Sequence, residues 1–231
     1  LRPNDALIFL RKHRSLHVGF QFLVDRLNDQ PVPEVFMQKR QLGPCVTFFP
    51  QPTTLVSTVG NDGRKNVMTA SWAGIVSKTP PTMAISLNKG RKSYQHIHET
   101  GDFVVNMVPA SLVVEADYCG LRSGSDDDKF EQAGLVAADA QIVKSPLVDQ
   151  CPLNVECRFV QEVEIGDYRL ILGEIVEVNA SEEAFASEGG MDARTFDPLT
   201  YLGGIREYWS LGDHVADAYK DGSKLFKKQD G

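Results

Sequence analysis

Residues 153–179 constrain the fold more than any other stretch. Two long β-patterned runs, 153–165 and 168–179, are separated only by Gly166-Asp167. Such a short connection between apolar-bearing runs reads as an antiparallel hairpin. Val155, Cys157 and Phe159 recur at every second position of the first run, and the second carries Leu170, Leu172, Ile175 and Val178. The same grammar governs the chain from residue 44 onward. Residues 53–59 (Thr-Thr-Leu-Val-Ser-Thr-Val) are rich in β-branched types, Gly60-Asn61-Asp62-Gly63 is a turn, and residues 65–71 return as a second strand. Residues 82–87 alternate, with Met83, Ile85 and Leu87 on one face; residues 102–108 do so again through Phe103, Val105 and Met107. Residues 91–100 suit a short helix ended by Gly101. Short strands at this spacing predict an all-β-dominated domain with helical inserts, an antiparallel, Greek-key-like closed barrel that leaves few bare edges.

Two segments depart from that pattern. Residues 118–135 read as a polar excursion with Gly120, Ser123-Gly124-Ser125 and Asp126-Asp127-Asp128, the aspartates starting a short helix up to Leu135. Residues 1–36 carry Leu16, Phe20, Leu23, Val24 and Leu27 at helical spacing, then Pro31 and Pro33. The expected organisation is a leader or accessory helix over 1–36 and one domain over 37–231. In that domain strand patterning begins at Met37 and the lysine-rich tail after residue 212 frays.

Charge and cysteine usage exclude some functions. A net charge of −7 and a pI near 5.3 disfavour nucleic acid as a partner. No apolar run approaches the roughly 18 residues that span a bilayer. Arg11, Lys12, His13 and Arg14 follow the apolar Ala6–Leu10 stretch, the reverse of a signal peptide. Cys45, Cys119, Cys151 and Cys157 form no C-x-x-C pair, which suits reduced, mostly buried thiols in a cytoplasmic protein. His96 and His98 point to different faces of a helix, and no metal site is expected.

Three segments bear on chemistry. Lys65–Trp72 ends a hairpin with Thr69, Ala70 and Ser71 where a core strand would want bulk. Small side chains let a flat ring approach the backbone, although a strand turning into a loop gives the same pattern. Ile85–Ser93 places Lys89, Arg91 and Lys92 immediately before a helix starting near Ser93. A helix N-terminus with added cations suits a phosphate, with Ser93 as cap and donor, and a solvated basic loop is the plainer alternative. In Asp167–Ile175, Gly173 inside a strand suggests a bulge or a close approach.

In order along the chain, N-V-M-T-A-S-W-A-G-I-V-S (66–77), Pro80-Pro81, S-L-N-K-G-R-K-S-Y (86–94), E-T-G-D-F-V-V-N (99–106), D-Y-C-G-L-R-S-G (117–124), D-K-F (128–130), C-P-L-N-V-E-C (151–157) and G-D-Y…L-G-E-I (166–175) resemble the flavin reductase-like, FMN-binding split-barrel proteins, flavoredoxins in particular. The resemblance covers about residues 40–210. It implies a homodimer of split β-barrels with one FMN per subunit near the dimer interface. Asn66, Met68, Thr69, Ala70, Ser71 and Trp72 would hold the isoalloxazine edge. Ser86, Leu87, Lys89, Arg91 and Ser93 would hold ribityl and phosphate, with Tyr94 nearby. It further implies transfer of hydride or electrons between NAD(P)H, or a reduced partner protein, and flavin or another acceptor. The alternative is an electron carrier or flavin-binding module without NAD(P)H turnover. Many NAD(P)H-using members have histidine in G-D-H, where this chain has Tyr168. Tyrosine stacks and hydrogen-bonds but, unlike histidine, does not titrate near neutral pH.

Overall fold

A computed structural model of the chain describes residues 37–186 and 189–226. The chain divides into two units, Leu1–Cys45 and Val46–Gly231, and the helix expected over 1–36 lies outside the described residues. The strand patterning expected from Met37 does not materialise. Residues 37–50 carry no strand, consistent with Gly43, Pro44 and Pro50 denying them regular backbone bonding.

The second unit begins its strands with β1 (Gln51–Pro52), β2 (Thr54–Val59), β3 (Lys65–Ala70), β4 (Ala73–Lys78) and β5 (Pro81–Asn88). Helix α1 (Lys92–Thr100), β6 (Asp102–Met107), α2 (Val113–Leu121), α3 (Lys129–Gln132), β7 (Ala137–Ala138) and β8 (Leu147–Val148) follow. The long hairpin is β9 (Leu153–Ile165) and β10 (Tyr168–Ala180), and α4 (Ala193–Phe196), β11 (Thr200–Leu202) and β12 (Glu207–Trp209) end the fold. Seven strands form one antiparallel sheet in the order β3-β2-β6-β9-β10-β5-β4. Its two edge strands, β3 and β4, are consecutive in the chain and joined only by Ser71 and Trp72. So short a link forces the edges together at that corner, and the sheet curls into the expected split β-barrel.

Both faces of the sheet bury side chains, which is why β2 reads as a continuous apolar and hydroxyl run. Val56, Met68, Ile85, Phe103, Cys157 and Ile171 meet in the barrel interior. Leu55 and Val67, one residue out of phase, pack outward against Ala116, Cys119 and Phe130. That second layer depends on α2, which the sequence does not announce: Val113, Val114 and Gly120 are poor helix formers. Burial of Ala116 and Cys119 against β2 and β3 outweighs that propensity.

The long hairpin forms where expected, with the opposite phase in its second strand. Arg169, Ile171 and Gly173 are buried, while Leu170 and Leu172 are half-buried. Register shifts at Leu172/Gly173 and Ile175/Glu177 reset the pairing. A Cβ on Gly173 would fall 2.6 Å from Phe103 Cζ and 2.9 Å from Cys157 Cβ, so this glycine serves core packing.

Candidate functional site

The corner where the sheet edges meet opens into a cleft of about 350 Å³. Met68, Thr69, Ala70, Ser71 and Trp72 line one side; Ser86, Leu87, Asn88 and Arg91 line another. Tyr168 enters from the start of β10, and Val46, Gln51, Tyr201 and Gly203 complete the wall. Two hydrogen bonds hold the corner: Ser86 N–H donates to Trp72 O at 2.8 Å, and the Thr54 hydroxyl to Ala70 O at 2.6 Å. Thr69 Oγ1 donates to Ala116 O, tying the floor to α2. The rings of Trp72 and Tyr168 lie 5.2 Å apart at 46°.

A second cavity, of about 70 Å³, shares Met68 and Arg91 with the cleft. It is lined by Asn66, Ser93, Ser123, Gly124 and four cationic side chains, Arg91, Lys92, Arg122 and Lys129, with no carboxylate among the described residues that line it. Asn66 Nδ2 donates to Ser93 Oγ at 2.7 Å, and both residues are buried. Ser93 therefore does not cap α1. The N-cap is Arg91, without a side-chain cap bond, because Ser93 already lies within the first turn. At the other end Gly101 closes α1 at φ +78°, its N–H donating to Ile97 O at 2.8 Å. The helix thus starts at the cationic cavity.

Lys129 is 3 % exposed. Its Nζ donates to the carbonyls of Cys119 at 3.1 Å and Arg122 at 3.4 Å, at the C-terminal end of α2. Burial lowers its ammonium to about 8. Asp128 caps α3 by accepting from Phe130 and Glu131 N–H at 3.1 and 3.2 Å, and Asp127 pairs with Arg122 at 2.6 Å. The helix expected over Asp126–Leu135 is thus confined to Lys129–Gln132, and of the three aspartates only Asp128 starts it.

Ten of the twelve sequence-predicted residues line one cavity or the other. Met68, Thr69, Ala70, Ser71, Trp72, Ser86, Leu87 and Arg91 border the cleft, while Asn66 and Ser93 sit in the cationic cavity. Lys89 and Tyr94 line neither. The Lys89 side chain is exposed, and its N–H bonds Asp167 O at 3.1 Å. Tyr94 faces the long hairpin, its hydroxyl on Glu162 at 3.1 Å, where burial and that carboxylate raise its phenol. Sequence reasoning missed Arg122, Ser123, Gly124 and Lys129. They lie in the motifs 117–124 and 128–130 that carry the family resemblance, but nothing in the sequence brings those motifs beside Arg91.

Elsewhere, a surface recess of about 920 Å³ along Ala186, residues 190–197 and residues 211–214 holds an Arg194–Asp192 pair already matched at 2.6 Å. Among the described residues no group of three or more His, Cys, Asp or Glu side chains is placed to hold a metal ion. No described helix is long and apolar enough to cross a membrane. Cys119, Cys151 and Cys157 are buried, which raises their thiols to about 11, 12 and 12. His96 is buried as well; burial, then Lys92, lowers its imidazole.

Comparison with known proteins agrees with this geometry. The model of the flavin reductase like domain matches residues 46–210. The flavoredoxin of Desulfovibrio vulgaris (Miyazaki F) is 34% identical and superposes with a TM-score of 0.76, covering 80% of this chain and 100% of that one. A flavoredoxin from Methanosarcina acetivorans is 30% identical at a TM-score of 0.76, with 82% and 100% covered. An uncharacterized protein of Archaeoglobus fulgidus is 35% identical over 131 residues, 57% of this chain and 73% of its own length. The matched segment contains every residue lining the cleft and the cationic cavity, and on that ground the chain belongs to the flavin reductase like domain family.

Proposed function

We propose that this chain is an FMN-dependent oxidoreductase, passing hydride or electrons between NAD(P)H, or a reduced partner protein, and flavin or another acceptor. The observation that carries the reading is the adjacency of the two cavities. A cleft floored by small residues shares Met68 and Arg91 with a pocket lined by four cations and, among the described residues, no carboxylate. A flat ring ending in a phosphate monoester fits that shape and charge, and the buried, carboxylate-free Lys129 favours an anion. Bound there, FMN would supply hydride- and electron-transfer chemistry.

The chain's own residues then have distinct tasks. Arg91, Lys92, Arg122 and Lys129 neutralise the phosphate. Asn66 and Ser93, locked to each other at 2.7 Å, set its orientation. Small side chains at Thr69–Ser71 would let the ring's polar edge approach the backbone, and donors placed there favour added negative charge on it. Trp72 and Tyr168 cover the open side and limit water.

A second reading is an electron carrier without pyridine-nucleotide turnover. It is favoured by Tyr168, which leans on Trp72 at 5.2 Å and narrows the side where a nicotinamide would stack. We also propose a homodimer. Exposed apolar side chains on the edge strand β4 (Ile75, 63 %; Val76, 57 %) and on β9 (Val160, 57 %; Ile165, 56 %) support it.

The test is an absorbance spectrum after FMN addition and desalting, then anaerobic NADH and NADPH, with light scattering for the oligomer. Retained flavin that bleaches rapidly supports the oxidoreductase. Retained flavin that does not bleach selects the carrier. Loss of the flavin on desalting overturns a resident cofactor.

A further inference from the structure

The cationic pocket contains one group that the functional reading leaves unexplained. Lys129 is almost fully buried, and its three N–H donors find two main-chain carbonyls, Cys119 O at 3.1 Å and Arg122 O at 3.4 Å. Among the described residues no carboxylate is paired with it. A buried charge without a counter-charge is costly unless something of opposite sign joins it. Its neighbours deepen the deficit. Arg91 comes from the turn before α1 and Lys92 lines the same pocket from α1, while Arg122, at the end of α2, is already matched by an aspartate. Asp127 is engaged by Arg122 at 2.6 Å, and Asp128 accepts from the Phe130 and Glu131 N–H groups at 3.1 and 3.2 Å. The Cys119 thiol, raised by burial to about 11, stays neutral.

We infer that Lys129 is a phosphate-recognition residue whose protonation is coupled to occupancy, so that one proton enters the pocket with each phosphate monoester at alkaline pH. The ligand class is a phosphate monoester or free phosphate, and FMN is the instance that rests on the function proposed above. Burial, with Arg91 adding to it, lowers the free ammonium to about 8. An incoming dianion favours the charged form and moves the equilibrium back up. Above about pH 8 the free protein therefore holds largely the neutral amine and the complex the ammonium. The ligand does not compete for the effect, because the second ionisation of a phosphate monoester, near pKa ~6, is complete well below that range.

Calorimetric titration at pH 8.5, in two buffers of different ionisation enthalpy, reads the proton directly. FMN should bring most of a proton into the wild-type complex, and riboflavin, which lacks the phosphate, none. Between pH 8.5 and 9.5 the affinity for FMN should fall by about tenfold, the slope expected for one linked proton, while that for riboflavin stays flat. Lys129→Met should abolish the uptake and weaken FMN by roughly tenfold or more. Lys129→Arg, which cannot lose its proton, should bind FMN without uptake, so the idea survives a Met variant that fails to fold. FMN binding by the wild type with no uptake would overturn the inference and leave the flavin reading intact. Uptake on titration with inorganic phosphate, together with failure to bind FMN, would do the reverse. Unchanged uptake in folded Lys129→Met would also overturn it, by assigning the proton to another group.

Discussion

Trp72 and Tyr168 come from distant parts of the chain, the β3–β4 corner and the start of β10, yet their rings stand 5.2 Å apart at 46°. Tilted aromatic pairs of this kind contribute about 0.5–1.5 kcal/mol beyond the area they bury. Both line the cleft, so each should act on whatever occupies it partly through the other. Trp72→Ala and Tyr168→Ala are each expected to weaken FMN binding by about 1 kcal/mol. The double variant should lose less than the sum. Flavin-fluorescence titration of the four proteins measures the coupling, and strict additivity would mean that the two rings act independently.

Arg91 belongs to both cavities and enters no ion pair among the described residues. Arg91→Ala should weaken FMN binding by about 1.5–3 kcal/mol, the scale of a charge-assisted hydrogen bond. Riboflavin affinity should hardly change, because the charge serves the phosphate. Equal losses for both ligands would move Arg91 to the ring end of the site.

Gly124 packs against the pocket's inner wall so closely that a Cβ would fall 1.9 Å from Asn66 Oδ1. Asn66 is itself held by its bond to Ser93 at 2.7 Å. Gly124→Ala must push Asn66 away or move the α2–α3 segment, at a cost of about 1–3 kcal/mol. Thermal unfolding and FMN titration should both register it. An Asn66→Ala, Gly124→Ala double variant should recover part of the stability and none of the phosphate affinity.

Much of this arrangement was legible in the residues, for identifiable reasons. Met83, Ile85 and Leu87 alternate because β5 has one face in the barrel, and all three are buried. The turns at Gly60–Gly63 and Gly166-Asp167 carry their own signal and fall between β2 and β3 and between β9 and β10. The phase of β10 was hidden because two register shifts break its alternation and because Arg169 is buried. Its guanidinium sits 2.9 Å from Glu164 and donates to Gly166 O and Tyr168 O at 2.9 Å. Helix α2 was illegible because packing, not propensity, makes it. With it went Arg122 and Lys129, which only the fold brings beside Arg91. Lys89 and Tyr94 sit within the right motif yet point elsewhere, since neighbours in a turn or helix do not share a direction.

Glu156, on β9, answers a different question, what holds the loop at 141–145 against the sheet. It is fully buried. Its Oε1 accepts from Gln141 N–H and Asn179 Nδ2, both at 2.8 Å, and its Oε2 from Ile142 and Val143 N–H at 2.7 and 3.0 Å. Asp102 extends the clamp, accepting from Lys144 and Ser145 N–H at 3.1 and 3.0 Å. Burial alone would raise the Glu156 carboxyl, but the four donors outweigh it and hold it below its ordinary range. A depressed carboxyl contributes stability above its unfolded value, near 4.5, and that contribution drains away as pH falls through the folded value. Glu156→Gln turns an acceptor edge into an N–H₂ facing backbone donors and should cost about 2 kcal/mol at pH 7. Since the variant lacks the titrating group, the gap between the two proteins should narrow below about pH 4.5. Urea unfolding at pH 7 and at pH 3.5 checks both the size and the sign. A gap that stays constant across that range would show that shape, not charge, holds the loop. Glu156 lines neither cavity, so FMN affinity at pH 7 should be the same in both proteins.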